Sequence, residues 1–375
     1  MPAPAAPGPG VDGPARPARN YRRNAVAAVV LALVAVAAVV VAAGTDATRL
    51  GGPRVDPDRL PVGPPAPGLD GATGWVGSPP LVDADLAGRV VVYDFWTYSC
   101  VNCVRTLPYL RAWHDRYGPD GLVIVGVHSP EFGFERRREN VEAAVSRLGV
   151  AWPVAMDNSR AVWHDFANRF WPTKYVADRQ GRLRYTAIGE GRYDETEDVL
   201  RSLLGVDRAS PRAVVAAGAP AAGEPGEAAR LDVTAETYLG LRRGSTGARP
   251  GTATYPEPAR LAVGEAALSG PWTGEDERVT AAGPGAAVVL RYRAGEVNLV
   301  MTAPDAVEVV VELDGRPLPL ARRGPDVAED GERTVVRVDH DGMYRLVAPG
   351  QVGEHTLRLT VDSPGLSAYA FTFGT

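Results

Sequence analysis

Apolar and polar positions recur along the chain in three different ways, and each predicts a different kind of element. Residues 25–43 are apolar without interruption, which at 1.5 Å per helical residue is just enough to cross a hydrocarbon core of about 30 Å. From residue 90 onward, short apolar runs alternate with helical periodicity. Residues 90–92 feed a strand ending near Phe95, and residues 122–127 form a continuous run of the kind found in a buried central strand. Residues 134–148 place Val141, Ala144, Val145 and Leu148 on one helical face before Gly149. Residues 159–170 predict another helix, with Val162, Phe166 and Phe170 at i, i+4 and i+8, stopped by Trp171 and Pro172. Residues 175–177 and 183–188 then form a hairpin about Asp178 to Gly181, and residues 194–204 a closing helix ended by Gly205.

Past residue 230 the period falls to two. Val307, Val309, Val311 and Leu313 alternate with polar neighbours, Leu357, Leu359 and Val361 do the same, and Asp314-Gly315 is a hairpin turn. The expected architecture is therefore an α/β domain followed by an all-β antiparallel sandwich, with one N-terminal transmembrane helix.

Composition sets the boundaries between these parts. Gly and Pro concentrate in residues 1–17, 51–80 and 210–227, which predicts a tail and two linkers. The division is a basic tail at 1–24, an apolar anchor at 25–43, a linker at 44–69, the α/β domain at 70–206, a second linker at 207–229 and the sandwich at 230–375. Arg16, Arg19, Arg22 and Arg23 precede the apolar segment and Asp46 follows it. Positive charge on the near side keeps the tail in the cytoplasm and sends the rest across the membrane; the alternative is a signal peptide cleaved after Ala43. The net charge of −5 with dispersed basic residues gives no footprint for nucleic acid.

The chemistry centres on residues 93–108, YDFWTYSCVNCVRTLP, which hold both cysteines of the chain. With no third thiol, Cys100 and Cys103 have no structural cross-link to make except with each other. A strand, a polar turn and a helix start place Cys100 where unpaired backbone N–H groups and the helix dipole favour a thiolate. Cys100 is thus the candidate attacking thiol, and Cys103, almost one turn on, the resolving one. Asp94 lies six positions before Cys100 in apolar surroundings, suited to exchange a proton with Cys103. Pro108 is expected to kink the helix, since apolar periodicity continues through Leu110 and Trp113. The loop after residues 122–127 makes Glu131 and His128 candidates to approach the cysteines, with Glu135 and Glu139 at the start of the next helix. A structural zinc needs two ligands beyond the CxxC pair, and neither a second CxxC nor a close His pair exists; no cofactor is expected beyond the Cys100–Cys103 disulfide itself.

This stretch resembles the thioredoxin superfamily, whose hallmark is an Asp-Phe-Trp strand end, CxxC and a helix proline at these offsets. The phrases FWTYSCVNC, VGVHSPEF and NRFWPTKYVAD are similar to the TlpA-like branch, and most similar to the extracytoplasmic part of the DipZ proteins. The resemblance implies a redoxin-type thiol:disulfide oxidoreductase, a cis bond between Trp171 and Pro172 opposite the cysteines, and a substrate surface made of Trp171, Pro172, Trp96, Val101 and Asn102. It also implies an acidic residue near the CxxC pair, for which Glu131 is the candidate. Arg105 lies beyond the pair on the same helix, from where its long side chain can reach solvent.

The segments TAETYLG, GPWTG, VNLVM and YAFTFG are similar to the tail of DipZ, whose last domain resembles carbohydrate-binding modules. Trp272, Tyr255 and Tyr292 are the rings available to stack on a cell-wall glycan, or to fill the sandwich core. The expected function is a membrane-anchored, extracytoplasmic reductase of protein disulfides, supplied with electrons by a separate CcdA-like or DsbD-like membrane protein. Alternatives are an oxidase of secreted thiols, a thiol peroxidase, for which Thr97 stands three residues before Cys100, and a glycan-binding module with a docking thioredoxin fold.

Overall fold

The structure, a computed structural model, describes residues 56–207, 209–216 and 232–375. The basic tail, the apolar segment 25–43, the linker up to residue 55 and residues 217–229 of the second linker lie outside the described residues. Among the described residues no helix is long and apolar enough to cross a membrane.

The first domain is a six-stranded sheet with helices on both faces. Its strands are β1 (Gly74–Val76), β2 (Val90–Trp96), β3 (Leu122–His128), β4 (Val154–Met156), β5 (Thr173–Ala177) and β6 (Leu183–Ile188), in the order β1-β4-β3-β2-β5-β6. The β2–β3 and β3–β4 pairs are parallel, and β5, β6 and β1 join antiparallel. The helices are α1 (Asp83–Leu86), α2 (Val101–Tyr117), α3 (Arg138–Arg147), α4 (Ala161–Asp165) and α5 (Tyr193–Leu204).

All seven residues of β2 are buried, as a central strand covered on both faces requires. Alternate side chains point to opposite faces. Val91, Tyr93 and Phe95 join Trp163 and Phe166 in one apolar layer, while Val90, Val92 and Trp96 join Cys103, Leu107 and Leu110 of α2 in the other. Asp94, by the same alternation, faces α2.

Three local expectations are revised. The linker does not remain a tether up to residue 69: Leu60 is buried, the N–H of Gly63 donates to the Leu183 carbonyl at 2.8 Å, and that of Ala66 to the Gly181 carbonyl at 2.8 Å. The helix over 134–148 divides into a 3-10 turn (Gly133–Arg136) and α3, because the Glu135 carboxylate accepts from the N–H groups of Glu131 and Phe132 and so fixes the entry turn. The helix over 159–170 shrinks to α4, bounded by left-handed backbone at Arg160 (φ 59°) and Ala167 (φ 49°) and held at its start by Asp157, which accepts from the N–H groups of Val162 and Trp163 at 3.1 and 2.9 Å.

The C-terminal domain is built from thirteen strands that form a nearly closed sandwich. One sheet runs Val327–Asp330, Arg333–Val338, Val307–Leu313, Gly353–Val361, Ala286–Ala294 and the first half of Glu265–Gly274. The other runs from the second half of that strand through Val279–Ala281, Ser367–Gly374 and Glu296–Thr302 to Gly342–Val347. The shared strand changes sheet at Gly270. Ser269 pairs with Ala287 of the first sheet, and Gly270 with Tyr255 of the second. Gly270 has φ +75°, and a Cβ there would stand 2.5 Å from the Gly285 carbonyl oxygen, so both the backbone angle and the close approach demand glycine. Trp272 and Tyr292 are 1% and 0% exposed: they fill the core, which leaves only Tyr255 of the three candidate rings with an accessible face.

The domains meet through Phe132 and Phe134, which stack on each other and meet the Tyr369 ring at 5.1 and 4.9 Å. Val300, Tyr369 and Ala370 of the sandwich thereby belong to the same apolar cluster as Cys103 and Trp96. Replacing Gly270 with Val is expected to lower stability by about 2–4 kcal/mol, since a β-branched residue meets both the strained angle and the Gly285 carbonyl; chemical denaturation of the variant against the parent checks this, and an unchanged midpoint would contradict it.

Candidate active site

The strand β2, the turn Thr97–Ser99 and the first turn of α2 deliver the cysteines. Cys100 is the N-cap of α2, with extended backbone, and its sulfur accepts from the Cys103 N–H at 3.3 Å. Such a contact supplies hydrogen bonding to a thiolate from an otherwise orphaned helix donor. Cys100 is half-buried and Cys103 fully buried. Burial, then the contact and charge of Cys100, push the Cys103 thiol well above its ordinary range. The two sulfurs therefore differ as attacking and resolving thiols should: one reaches solvent, and the other ionises only when something takes its proton.

Beneath them lies a buried pair of opposite charges. Asp94 and Lys174 are directly opposed across the antiparallel β2–β5 pair, and both are essentially inaccessible. Neither Asp94 carboxylate oxygen, nor Lys174 Nζ, has a hydrogen-bond partner among the described residues; the ammonium lies 5.8 Å from the Tyr193 ring centroid. Burial pushes the Asp94 carboxyl up to about 6, against the pull of Lys174, and pushes Lys174 down against the pull of Asp94. A carboxyl with a value of about 6 gains and loses its proton close to neutrality and can exchange one with Cys103. Lys174 was not anticipated as a site residue. Its signal was a lysine in the run TKYVA, directly after Pro172, where the strand is otherwise apolar.

The turn before Cys100 is anchored from below. Thr97 and Ser99 each donate a hydroxyl hydrogen bond to Oε1 of Glu135 at 2.5 Å, and Tyr98 stacks on His128 at 5.4 Å. Glu135 is fully buried, its carboxyl raised by that burial and opposed by four donors. His128, also fully buried, is lowered to about 3 and so stays neutral. The acidic residue that supports the motif is thus Glu135. Glu131 points to the sandwich instead, where it accepts from Tyr238 and Arg243, each at 2.8 Å.

The expected substrate surface is only partly on the surface. The Trp171–Pro172 peptide is cis. Trp171 is half-buried, its indole N–H donating to the Ser129 carbonyl at 3.1 Å, with the Arg160 guanidinium over its ring at 4.8 Å. Asn102 is exposed, whereas Val101 is buried and Trp96 is 1% exposed. Trp96 ends a strand covered on both faces, and Val101 turns into the core at the first helical position, so neither presents a side chain to a partner. Arg105, expected to reach solvent, is 16% exposed and bound by Glu190 and Glu296.

A thioredoxin-type sheet with CxxC at the head of its first long helix defines the class: a thioredoxin-fold protein with a CxxC cysteine pair. Comparison with known proteins carries this further. The redoxin family matches residues 79–204, and the family described as thioredoxin like C-terminal domain matches residues 234–374. Protein DipZ of Mycobacterium tuberculosis is 35% identical over 322 residues, which is 82% of this chain and 43% of DipZ; the chain spans less than half of that relative's length. The thiol-disulfide oxidoreductase YkuV of Bacillus subtilis is 26% identical over 125 residues, 33% of this chain and 84% of its own. A crystal structure of a thiol-disulfide isomerase from Corynebacterium glutamicum aligns over 41% of this chain and 100% of its own, with 24% identity and a TM-score of 0.34. The first domain thus matches the redoxin family, and the chain is similar to DipZ over 82% of its own length.

The raised Asp94 carboxyl fixes the sign of a pH effect. Its folded value, about 6, lies above the ordinary aspartate value of 3.8, so ionising it works against the fold. The stability it permits is complete below about pH 4 and is lost as pH rises through about 6. Asp94→Asn is therefore expected to be more stable than the parent at pH 8, by about 3 kcal/mol, with the gain vanishing by about pH 4. Denaturation midpoints across that range test it, and a difference independent of pH would contradict it.

Proposed function

We propose that this chain is a membrane-anchored, extracytoplasmic thiol:disulfide reductase acting on disulfides of other extracytoplasmic proteins. The observation that carries the reading is the contrast between the two sulfurs: an accessible Cys100 at a helix N-cap, and a buried Cys103 above the Asp94–Lys174 pair. In the forward cycle the Cys100 thiolate attacks one sulfur of the substrate disulfide, forming a mixed disulfide and expelling the other sulfur as a thiolate that takes a proton. Cys103 then attacks the Cys100 sulfur, its proton passing to Asp94 and from there to the second substrate sulfur, which leaves as a thiol. Substrate gains two electrons and two protons, and the chain is left with the Cys100–Cys103 disulfide.

Direction follows from what surrounds the attacking sulfur. A strongly oxidising pair needs its reduced thiolate over-stabilised. Here the residues between the cysteines are Val101, which is buried, and Asn102, a neutral amide, and the nearest cation on the helix, Arg105, is already bound to two carboxylates. Returning the pair to its reduced form needs an electron donor of the CcdA or DsbD type in the membrane, and the apolar segment 25–43 is the anchor that keeps the domain beside it.

Replacing Cys103 with Ser removes the resolving thiol, so the mixed disulfide with Cys100 should accumulate. In host membranes the variant is expected to run as discrete, reductant-sensitive adducts with extracytoplasmic proteins, and Cys100→Ser with Cys103→Ser to show none. Equal trapping by both variants would contradict the assigned roles.

A further inference from the structure

The C-terminal domain reaches the cysteine helix through one guanidinium. Arg105 lies two residues after Cys103, held between Glu190 at 3.5 Å and Glu296, the first residue of the strand Glu296–Thr302. Helical side chains lean toward the N-terminus, and Nη1 of Arg105 comes within 3.5 Å of Asn102 Oδ1, inside the motif. Glu296 is itself fixed: its side chain is 8% exposed, and Asn298 donates to Oε1 at 3.1 Å. The last strand closes over this contact so tightly that a Cβ on Gly374 would stand 2.3 Å from Arg105 Nη2. Glu190 follows Gly189, whose N–H donates to the Pro172 carbonyl at 2.7 Å. One cation thus joins the CxxC helix, the cis-proline loop and the sandwich.

We propose that Glu296 of the C-terminal domain is a positioning residue of the cysteine site, committing the Arg105 guanidinium to a pair of carboxylates so that the Cys100 thiolate forms without a free cation beside it. The sandwich is then part of the redox centre, and its docking helps keep the pair reducing. This rests on the thiol:disulfide reading above.

The charged and titratable groups around the pair are Asp94 from β2, Lys174 from β5, Glu190 beyond β6, Arg105 on α2 and Glu296 from the sandwich, with Glu135 and neutral His128 beneath the Thr97–Ser99 turn. Glu190, Arg105 and Glu296 together carry a net charge of −1. Removing the charge of Glu296 makes the trio neutral, and removing that of Arg105 makes it −2. A nearby thiolate in a partly screened setting feels one such unit as about half a pH unit, or about threefold in an equilibrium. Stabilising the thiolate stabilises the reduced form and makes the pair more oxidising.

The test is the pH midpoint of Cys100 alkylation by iodoacetamide, in the full chain with Cys103→Ser so that one thiol titrates. Glu296→Gln is expected to lower the midpoint by about half a unit, Arg105→Gln to raise it by about as much, and the double variant to return close to the parent. Glu296→Asp and Arg105→Lys keep the charges and should keep the midpoint. With both cysteines present, Glu296→Gln and Arg105→Gln should shift the equilibrium with glutathione about threefold in opposite directions. A purely structural role would make both substitutions loosen the interface and move the midpoint the same way, with the charge-keeping variants affected as well. That outcome, or no shift in either, would overturn the proposal. If Glu296→Gln fails to fold by circular dichroism, Arg105→Gln against Arg105→Lys still reads the sign. Alkylation as predicted in a chain that traps no protein substrate would sink the functional reading and leave this inference standing.

Discussion

Two opposite charges without hydrogen-bond partners among the described residues lie in the apolar layer beneath Cys103, and the rest of the first domain accommodates them. Taking an ammonium and a carboxylate out of water costs on the order of several kcal/mol each, and a fold that sought only stability would place apolar residues there. The register of β2 and β5 sets Asp94 opposite Lys174, so each charge is tolerable because the other is near. Burial then decides their chemistry: the carboxyl is pushed up to about 6 and the ammonium down, which gives the resolving thiol a neighbour able to hold a proton near neutral pH. The destabilised pair and the reactive pair form one arrangement, separated only by the first turn of α2.

Holding that turn in place is the task of groups that do no chemistry. Glu135 gathers Thr97, Ser99 and two backbone N–H groups around one buried carboxylate. It thereby ties the approach to Cys100 to the loop after β3. That same loop carries Phe132 and Phe134, which meet Tyr369 of the sandwich. Fixing the cysteine turn and docking the C-terminal domain therefore draw on one short segment, and the Arg105 contact with Glu296 adds a second route between them.

Much of this was legible from pattern. The CxxC pair, its strand and helix, and the hairpin after Pro172 follow from local periodicity and turn chemistry, and the switch to period two announced the sandwich. Asp94 stood out because it interrupts an apolar strand. The parts that escaped depend on contacts distant in sequence. Glu131 and Glu135 are both acidic residues in one loop, and nothing local says that the second turns inward to cap its own segment while the first faces Tyr238, more than a hundred positions away. Trp272 and Tyr292 could have been surface platforms, and only the pairing of both sheets shows them in the core. Arg105 read as a free cation because its partner Glu296 belongs to another domain. Lys174 carries no decisive local signal of its role, because a lone lysine in a strand is ordinarily at the surface, and its burial is visible only once β5 is known to lie between β2 and β6.

The central claim is that this cysteine pair is a reducing couple, shaped by an attacking sulfur with no free cation beside it and a proton-holding acid under the resolving one. The most direct measurement is the equilibrium of the Cys100–Cys103 disulfide in glutathione buffers, read by alkylation of the full chain. The account predicts a midpoint below about −200 mV, toward the thioredoxin end of the range. A midpoint near −120 mV would contradict it and make the chain an oxidant of secreted thiols.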